Sequence, residues 1–206
     1  MVTETALMQA GAALTQIVFP DSGAASIVVR LSEGQTVAVA MIGRDGVIGA
    51  FEALGEGRSL ADAIVLFPGT ASGLDLADFR TVSAQSPALR RLLICHGQAL
   101  LAQAQQTAAC NAAHSVEARL SRWLLRAHDL HDHSRLPLTQ ELLAQMIGVR
   151  RNAISIVAHA LQEAGIIRYR RGQIEIVDIE ALRARSCECH AAADARQEQL
   201  RGAVSS

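Results

Sequence analysis

The fold is decided by the stretch LTQELLAQMIGVRRNAISIVAHALQEAGIIRYRR, which runs from Leu138 to Arg171. Its apolar residues recur at helical spacing on both sides of Gly148-Val149, so the pattern predicts two short amphipathic helices joined by a tight turn. Thr139 is the predicted N-cap of the first helix, and Gly148 is predicted to end that helix in a left-handed conformation. Two amphipathic helices joined this closely pack around one small core.

Two arginines open the second of these helices. Arg150 and Arg151 stand at the positive end of the helix dipole, where a cation is disfavoured by roughly 0.3–1 kcal/mol. A phosphate or a guanine edge would compensate, because an arginine fork donates two parallel hydrogen bonds to either group. The alternative is that both are solvated surface residues. Downstream, Ile166–Arg170 and Gln173–Val177 flank a glycine turn as a predicted hairpin, which together with the two helices describes a winged helix.

Charge is distributed unevenly along the 206 residues. Residues 1–80 carry four Arg and nine acidic residues, whereas residues 119–171 carry nine Arg and four acidic residues. All 19 basic residues are Arg. This difference between an acidic N-terminal region and a basic C-terminal region predicts different functions for the two parts of the chain.

The chain has the composition of a globular protein of the cell interior. Half of its residues are hydrophobic, which is enough for a sizeable core. We expect a cytoplasmic location and no membrane partner, because the N-terminus shows no export signal and no apolar run reaches the roughly 20 residues of a membrane span. Four scattered cysteines fit a reducing compartment.

The N-terminal region reads as short strands. Four β-type runs, Gln16–Phe19, Ser26–Val29, Thr36–Met41 and Ala63–Phe67, are separated by glycine turns. This spacing predicts an antiparallel sandwich or roll.

A long helix follows the strands. Ser86 as N-cap and Pro87 at the first helical position open it, and it runs to about Ala113, roughly 40 Å. The main apolar residues of this helix form one stripe. We expect a second copy of the chain to cover the stripe, because one small roll is too short to bury it. The alternative is a helix that packs only on its own roll. The predicted dimerisation residues are Leu89, Leu93, His96, Leu100, Ala104 and Thr107.

These elements give an α+β architecture in four parts. We expect a β-roll, sensor-like domain over 1–84 and a dimerisation helix over 85–113. The winged helix-turn-helix domain is expected over 114–186, beginning with a helix from Val116 to Leu130, and a C-terminal tail over 187–206.

The chain resembles the Crp/Fnr superfamily of bacterial transcription regulators over nearly its full length. The most specific stretches are VEARLSRWLL (Val116–Leu125), LTQELLAQMIGVRR (Leu138–Arg151) and ALQEAGIIRYRRGQIEIVD (Ala160–Asp178). It is most similar to a branch with FPDSG and GRDGVIGA in the roll and SCEC near the end. The resemblance implies a roll like a cupin or a cyclic-nucleotide-binding domain. It also implies a homodimer on double-stranded DNA, with RNA polymerase and an unidentified small-molecule effector as further partners.

Several positions depart from the superfamily's patterns. Val47-Ile48 stands where cyclic-nucleotide binders place a carboxylate for the ribose, although Arg58-Ser59 could correspond to their phosphate-binding pair. The iron–sulfur members have N-terminal cysteines, and this chain has none before Cys95. The helix that usually precedes the roll is shortened or absent. In the second of the two short helices, which enters the DNA groove in this superfamily, Asn152 and Ile156 replace the usual Glu and second Arg. We therefore do not expect the best-known operator sequence of the superfamily.

Two clusters could ligate metals. His128–His133 holds five potential ligands, but such residues are ordinary in a polar loop. Cys187-Glu188-Cys189-His190 could ligate a soft metal or form a redox pair, but its Cys-x-Cys spacing is not that of a zinc ribbon. We therefore predict no metal ligand, no cofactor and, since no catalytic constellation is supported, no enzymatic activity.

The resulting hypothesis is a DNA-binding regulator. Groove-facing residues are predicted to be Arg150, Arg151, Asn152, Ser155 and His159, and phosphate-contacting residues to be Thr139, Gln140, Arg168, Arg170 and Arg171. The rival hypothesis is a ligand- or redox-sensing module whose winged helix binds protein. A steep dependence of DNA binding on salt would separate the two.

Overall fold

The computed structural model describes residues 1–131, 134–170 and 172–205. Its N-terminal half is the predicted antiparallel roll, built from two sheets of strand order β1-β5-β3-β4 and β2-β6. The six strands are β1 (Ala6–Met8), β2 (Gln16–Pro20), β3 (Ala24–Arg30), β4 (Thr36–Ile42), β5 (Asp62–Phe67) and β6 (Ala71–Asp75).

Four short elements of the roll were not predicted. They are β1, β6 and the helices α1 (Ala50–Leu54) and α2 (Leu76–Gln85). The Asp75 carboxylate caps α2 by accepting a hydrogen bond from the Ala77 amide at 2.7 Å. Residues 1–5 contain no helix.

The long helix is α3 (Pro87–Ala113), and it begins as predicted. The Ser86 hydroxyl accepts from the Leu89 amide at 3.2 Å, and Pro87 lacks the amide hydrogen that the first turn would leave unpaired. Its 27 residues span about 40 Å. Neither α3 nor another helix in the described part of the chain is long and apolar enough to cross a membrane.

The C-terminal half is a winged helix-turn-helix followed by two further helices. Its elements are α4 (Val116–Leu130), β7 (Arg135–Leu136), α5 (Gln140–Ile147), α6 (Arg151–Glu163), β8 (Ile167–Arg170), β9 (Gln173–Ile176), α7 (Ile179–Arg185) and α8 (Cys189–Ser205). β8 and β9 form the predicted hairpin, and β7 adds a third strand beside β9 that was not predicted. The stretch 187–206, expected as a tail, contains α8, which packs along α3.

One apolar core joins the roll to the helix-turn-helix. Trp123 and Leu120 of α4 lie in the same buried cluster as Met41 and Phe67 of the roll. Beside this core, Arg126 donates to Asp45 at 2.6 Å, and both side chains are largely buried. The helix-turn-helix therefore rests against the roll as well as on the end of α3.

Candidate nucleic-acid interface

The turn between α5 and α6 sets the direction of α6. Gly148 ends α5 with φ 70° and ψ 42°, a left-handed conformation that residues with a Cβ adopt at a cost. Thr139 caps the other end of α5, where its hydroxyl accepts from the Leu142 amide at 3.1 Å. The sequence-based predictions for both residues are confirmed.

Beneath this turn, a buried arginine holds the end of α5. Arg119 of α4 donates from Nη2 to the carbonyl oxygen of Ile147, the last residue of α5. Burial of the Arg119 guanidinium lowers its pKa. A carbonyl at the C-terminus of a helix carries partial negative charge, so this contact compensates part of the desolvation cost.

The face of α6 that points away from the core is polar at its start. Arg150 is the N-cap without a side-chain capping bond, and Arg151 and Asn152 in the first turn are exposed. Within the described ranges no carboxylate pairs with either arginine. Two turns further, His159 is exposed and lies 3.3 Å from Glu163. All of these side chains are accessible to a groove.

Ile156 lies in the middle of the same face and is 71% exposed. Ile156 departs from the pattern of the Crp/Fnr superfamily but was not among the predicted site residues. The signal was present, because Ile156 follows Asn152 by four residues and therefore shares its side of the helix. An exposed methyl-rich side chain at this position fits contact with a thymine methyl group.

Ser155 is partly buried, whereas Arg151, Asn152 and Ile156 are exposed. Its hydroxyl donates to Gln140 Oε1 at 2.7 Å, which links α6 to the start of α5. Two residues expected to face DNA independently are thus bonded to each other. The bond fixes the oxygen of the Gln140 amide and leaves its NH₂ group to donate elsewhere.

The wing presents its arginines in two environments. Arg168 donates to Glu175 across the hairpin at 3.0 Å, so its charge is already paired. Arg170 is exposed at the tip side of β8, and no described carboxylate pairs with it. Arg171, also predicted to contact phosphate, lies outside the described residues.

This arrangement matches known proteins. A family model described as a Crp-like helix-turn-helix domain matches residues 118–185, which fall inside the expected range 114–186. FixK2 from Bradyrhizobium japonicum is similar in structure with a TM-score of 0.75 and 14% identity, over 90% of this chain and 94% of that one. Residues 118–185 therefore match a Crp-like helix-turn-helix domain, and the chain as a whole shares the fold of FixK2.

Other solved structures share this fold. TTHA1359, a Crp/Fnr-family transcriptional regulator from Thermus thermophilus, has a TM-score of 0.73 and 19% identity over 93% of this chain and 96% of its own. TTHB099 from the same organism has a TM-score of 0.70 and 17% identity, over 90% and 95% of the two chains. The search of curated proteins found no match. At these identities the solved structures establish the fold alone.

The stripe assigned to dimerisation faces the chain's own roll, so that assignment is corrected. Leu93 and Thr107 are 4% and 2% exposed, and Leu89 packs against the buried cluster of Ile17 and Phe79. His96 Nε2 contacts the Val47 carbonyl at 2.8 Å, and burial lowers the His96 pKa so that the ring is neutral near pH 7. Leu100 and Ala104 are partly buried along a cavity of the roll. The roll and α8 cover more of α3 than its length suggested.

A second stripe of α3 is open to solvent. Its members alternate by four and three residues, and all are exposed: Arg91, Ile94, Gln98, Leu101, Gln105, Ala108 and Ala112. Ile94 and Leu101 are 48% and 59% exposed. This heptad spacing is that of a coiled-coil seam. We call this stripe the α3 seam.

The cavity beside α3 has a volume of about 350 Å³ and a mainly apolar lining from β4, α1 and α3. Of the described residues that line this cavity, Glu52 alone is charged. Arg58 donates instead to the Gly11 carbonyl at 2.8 Å, and Ser59 to the Ala61 carbonyl at 2.5 Å, so neither lines the cavity. A buried phosphate needs a cation, and this lining does not supply one.

The histidine-rich run does not converge on one point in its described part. His131 packs edge-on against Phe67 at 5.2 Å, whereas Asp129 pairs with His190 of α8 at 3.1 Å. Asp132 and His133 lie outside the described residues. Cys187 and Cys189, in contrast, belong to a buried cluster with Cys110.

Proposed function

We propose that the protein is a sequence-specific DNA-binding transcription regulator that binds a two-fold operator as a homodimer. The observation that carries the proposal is the exposed start of α6, where Arg150 and Arg151 stand at the positive helix end without a described acidic partner. An anion that approaches this end would meet two guanidinium groups and the unpaired amides of the first turn. DNA phosphates and guanine edges supply such acceptors.

Base reading is assigned to the exposed face of α6. Arg151 would donate two hydrogen bonds to a guanine, and Asn152 would pair bidentately with an adenine. Ile156 would contact a thymine methyl, and His159 lies further along the same face. Each bidentate pair contributes about 1–3 kcal/mol of discrimination between bases.

Phosphate contacts are assigned to the rim of this face. Among the described residues, no acceptor pairs with the hydroxyl hydrogen of Thr139, whose oxygen caps α5, or with the NH₂ group of Gln140. Arg150, Arg170 and Arg171 would add charge. Arg168 would have to leave Glu175 to do the same, so we assign it a smaller share.

The two-fold operator follows from the α3 seam. Paired seams would bring two copies together around a two-fold axis. Each copy would then present one α6 to the major groove, with half-sites about 34 Å apart, one turn of B-DNA.

Selection of DNA from a random pool with the purified protein tests this function. We expect an inverted repeat, with an affinity that falls steeply as salt rises because phosphate contacts release counterions. Arg151→Ala should relax the preference at one base pair of each half-site. Arg170→Ala should weaken all sequences alike and reduce the salt slope by about one unit per protomer.

Arg90→Ala is the matched control, since Arg90 is an exposed arginine of α3 outside the winged helix. It should leave base preference and salt slope unchanged. A pool with no enriched sequence and a flat salt response would reject DNA binding and favour the rival winged helix that binds protein. An enriched site without two-fold symmetry would reject the homodimer alone.

A further inference from the structure

Four side chains of types that can ligate a metal meet where α3 ends. Cys110 lies in the last turn of α3 and His114 is its C-cap, whereas Cys187 lies between α7 and α8 and Cys189 is the first residue of α8. One ligand atom from each of the four falls within 4.8 Å of all the others. The chain brings them together across 77 residues, from Cys110 to Cys187.

Two of the six distances between the ligand atoms match those around a single tetrahedral ion. Cys110 Sγ and Cys187 Sγ are 3.5 Å apart, and Cys189 Sγ is 3.6 Å from His114 Nδ1. Zinc–sulfur and zinc–nitrogen bonds of about 2.3 and 2.0 Å in a tetrahedron separate two sulfurs by about 3.8 Å and a sulfur from a nitrogen by about 3.5 Å. A multi-iron cluster holds its ligands farther apart, because each ligand binds a different iron.

The outer contacts also fit a metal site. His114 points Nδ1 into the cluster, while its Nε2 lies 3.3 Å from the Glu188 carboxylate. A carboxylate on the far nitrogen is the usual support for a zinc-bound histidine, because it fixes the tautomer and raises the basicity of the ligand. The Gln106 amide donates to Cys189 Sγ at 3.0 Å, as a thiolate would require.

Two buried arginines near the cluster would be stabilised by a negative charge. Arg119 and Arg122 of α4 are both buried, 9% and 6% exposed, and the Nε atom of each has no hydrogen-bond partner among the described residues. Their other described contacts are the Ile147 carbonyl, the Thr107 hydroxyl and the Trp123 ring. Buried cations are costly without a counter-charge. Zn²⁺ with three thiolates and a neutral imidazole carries one net negative charge, which would partly compensate them.

We propose that Cys110, Cys187 and Cys189 through Sγ, together with His114 through Nδ1, bind one Zn²⁺ per chain. All four positions of the tetrahedron are filled by protein, and the three cysteines are 0–9% exposed, so the site is structural rather than catalytic. The proposal differs from the sequence-based prediction that the chain has no metal ligand. His190, which that prediction grouped with the two cysteines, contacts Asp129 and Asp194 instead.

The position of the ion gives it a role in joining the domains. It would tie the end of α3 to α8, at the junction where α3 leads into α4. Cys187 Sγ also lies 4.0 Å from the Ala118 carbonyl in the first turn of α4. The helix that carries the α3 seam and the helix that carries the winged domain would therefore be fixed to one another by metal.

The test is metal analysis of the full-length protein, purified from cells grown with zinc. We expect one zinc per chain. Cys110→Ser, Cys189→Ser and His114→Ala should each lower zinc content at least tenfold. Cys95→Ser, a cysteine of the same helix outside the cluster, and His190→Ala should retain it.

Cobalt substitution supplies a readout that does not depend on how the variants fold. Wild-type protein stripped of zinc and loaded with Co²⁺ should show the visible bands of tetrahedral cobalt and the ultraviolet thiolate-to-cobalt bands. Iron instead of zinc, metal-free protein that binds no Co²⁺, a Cys110–Cys187 disulfide in freshly isolated protein, or zinc loss in Cys95→Ser would each overturn the proposal.

Discussion

Leu101→Ala should weaken the homodimer about a hundredfold. Leu101 lies in the α3 seam and is 59% exposed in one chain. The substitution removes about three methylene-sized groups, each contributing about 0.8 kcal/mol on full burial. Three fifths of that surface becomes buried only on association, so each copy loses about 1.4 kcal/mol and the dimer about 3 kcal/mol. Since about 1.4 kcal/mol corresponds to a tenfold change, the dissociation constant rises about a hundredfold.

Sedimentation equilibrium over a range of protein concentrations measures this constant directly. Leu92→Ala is the matched control, because Leu92 is 49% exposed on the same helix but lies nine residues, and therefore half a turn of the helix surface, away from Leu101. It should leave the constant within about twofold of wild type. Equal effects of the two substitutions, or a Leu101→Ala dimer as tight as wild type, would refute the seam as the interface.

Three further predictions concern α6, the roll and the cavity of the roll. Ile156→Arg should replace a preference for thymine by one for guanine at one position of each half-site, as measured by repeating the DNA selection; an unchanged site would show that Ile156 does not contact a base. Burial lowers the pKa of His96 below 6.5, so the unfolded chain takes up a proton first as pH falls. The free energy of unfolding should therefore decline as the pH falls from about 6.5 to the lower pKa of folded His96. His96→Gln should flatten this decline, as measured by urea unfolding at a series of pH values. An equal pH dependence of stability in both proteins would contradict the burial of a neutral His96. Cyclic AMP and cyclic GMP should give no heat in calorimetry, because the apolar cavity offers no cation to a phosphate; micromolar binding of either would contradict this.

The elements that the sequence predicted best carry their own local signals. α3 and α5 begin at the residues expected because Ser86 and Thr139 cap them through their own hydroxyls, and Gly148 ends α5 by its own backbone preference. β6 has no such signal. Its five residues lie opposite β2, more than fifty positions earlier, so only the folded pairing defines it.

The sequence did not predict which face of α3 packs against the roll. Helical spacing predicts which residues share a stripe, but several stripes of this helix contain apolar residues. Which of them meets the roll depends on where the roll lies, and Leu93 proved to face inward while Leu101 faces outward. The metal cluster was missed for a related reason, since Cys110 and His114 become neighbours of Cys187 only when α8 packs back along α3.

β4 has two ends with different neighbours. Val39, Ala40 and Ile42 line the apolar cavity, while Val37 lies under the turn of the winged domain, where a Cβ on Gly148 would come within 2.9 Å of its Cγ2. The pairing of β4 with β3 shifts its register opposite Val39, so the strand has a bulge between these two points. β4 therefore contacts both the cavity and the turn that sets the direction of α6.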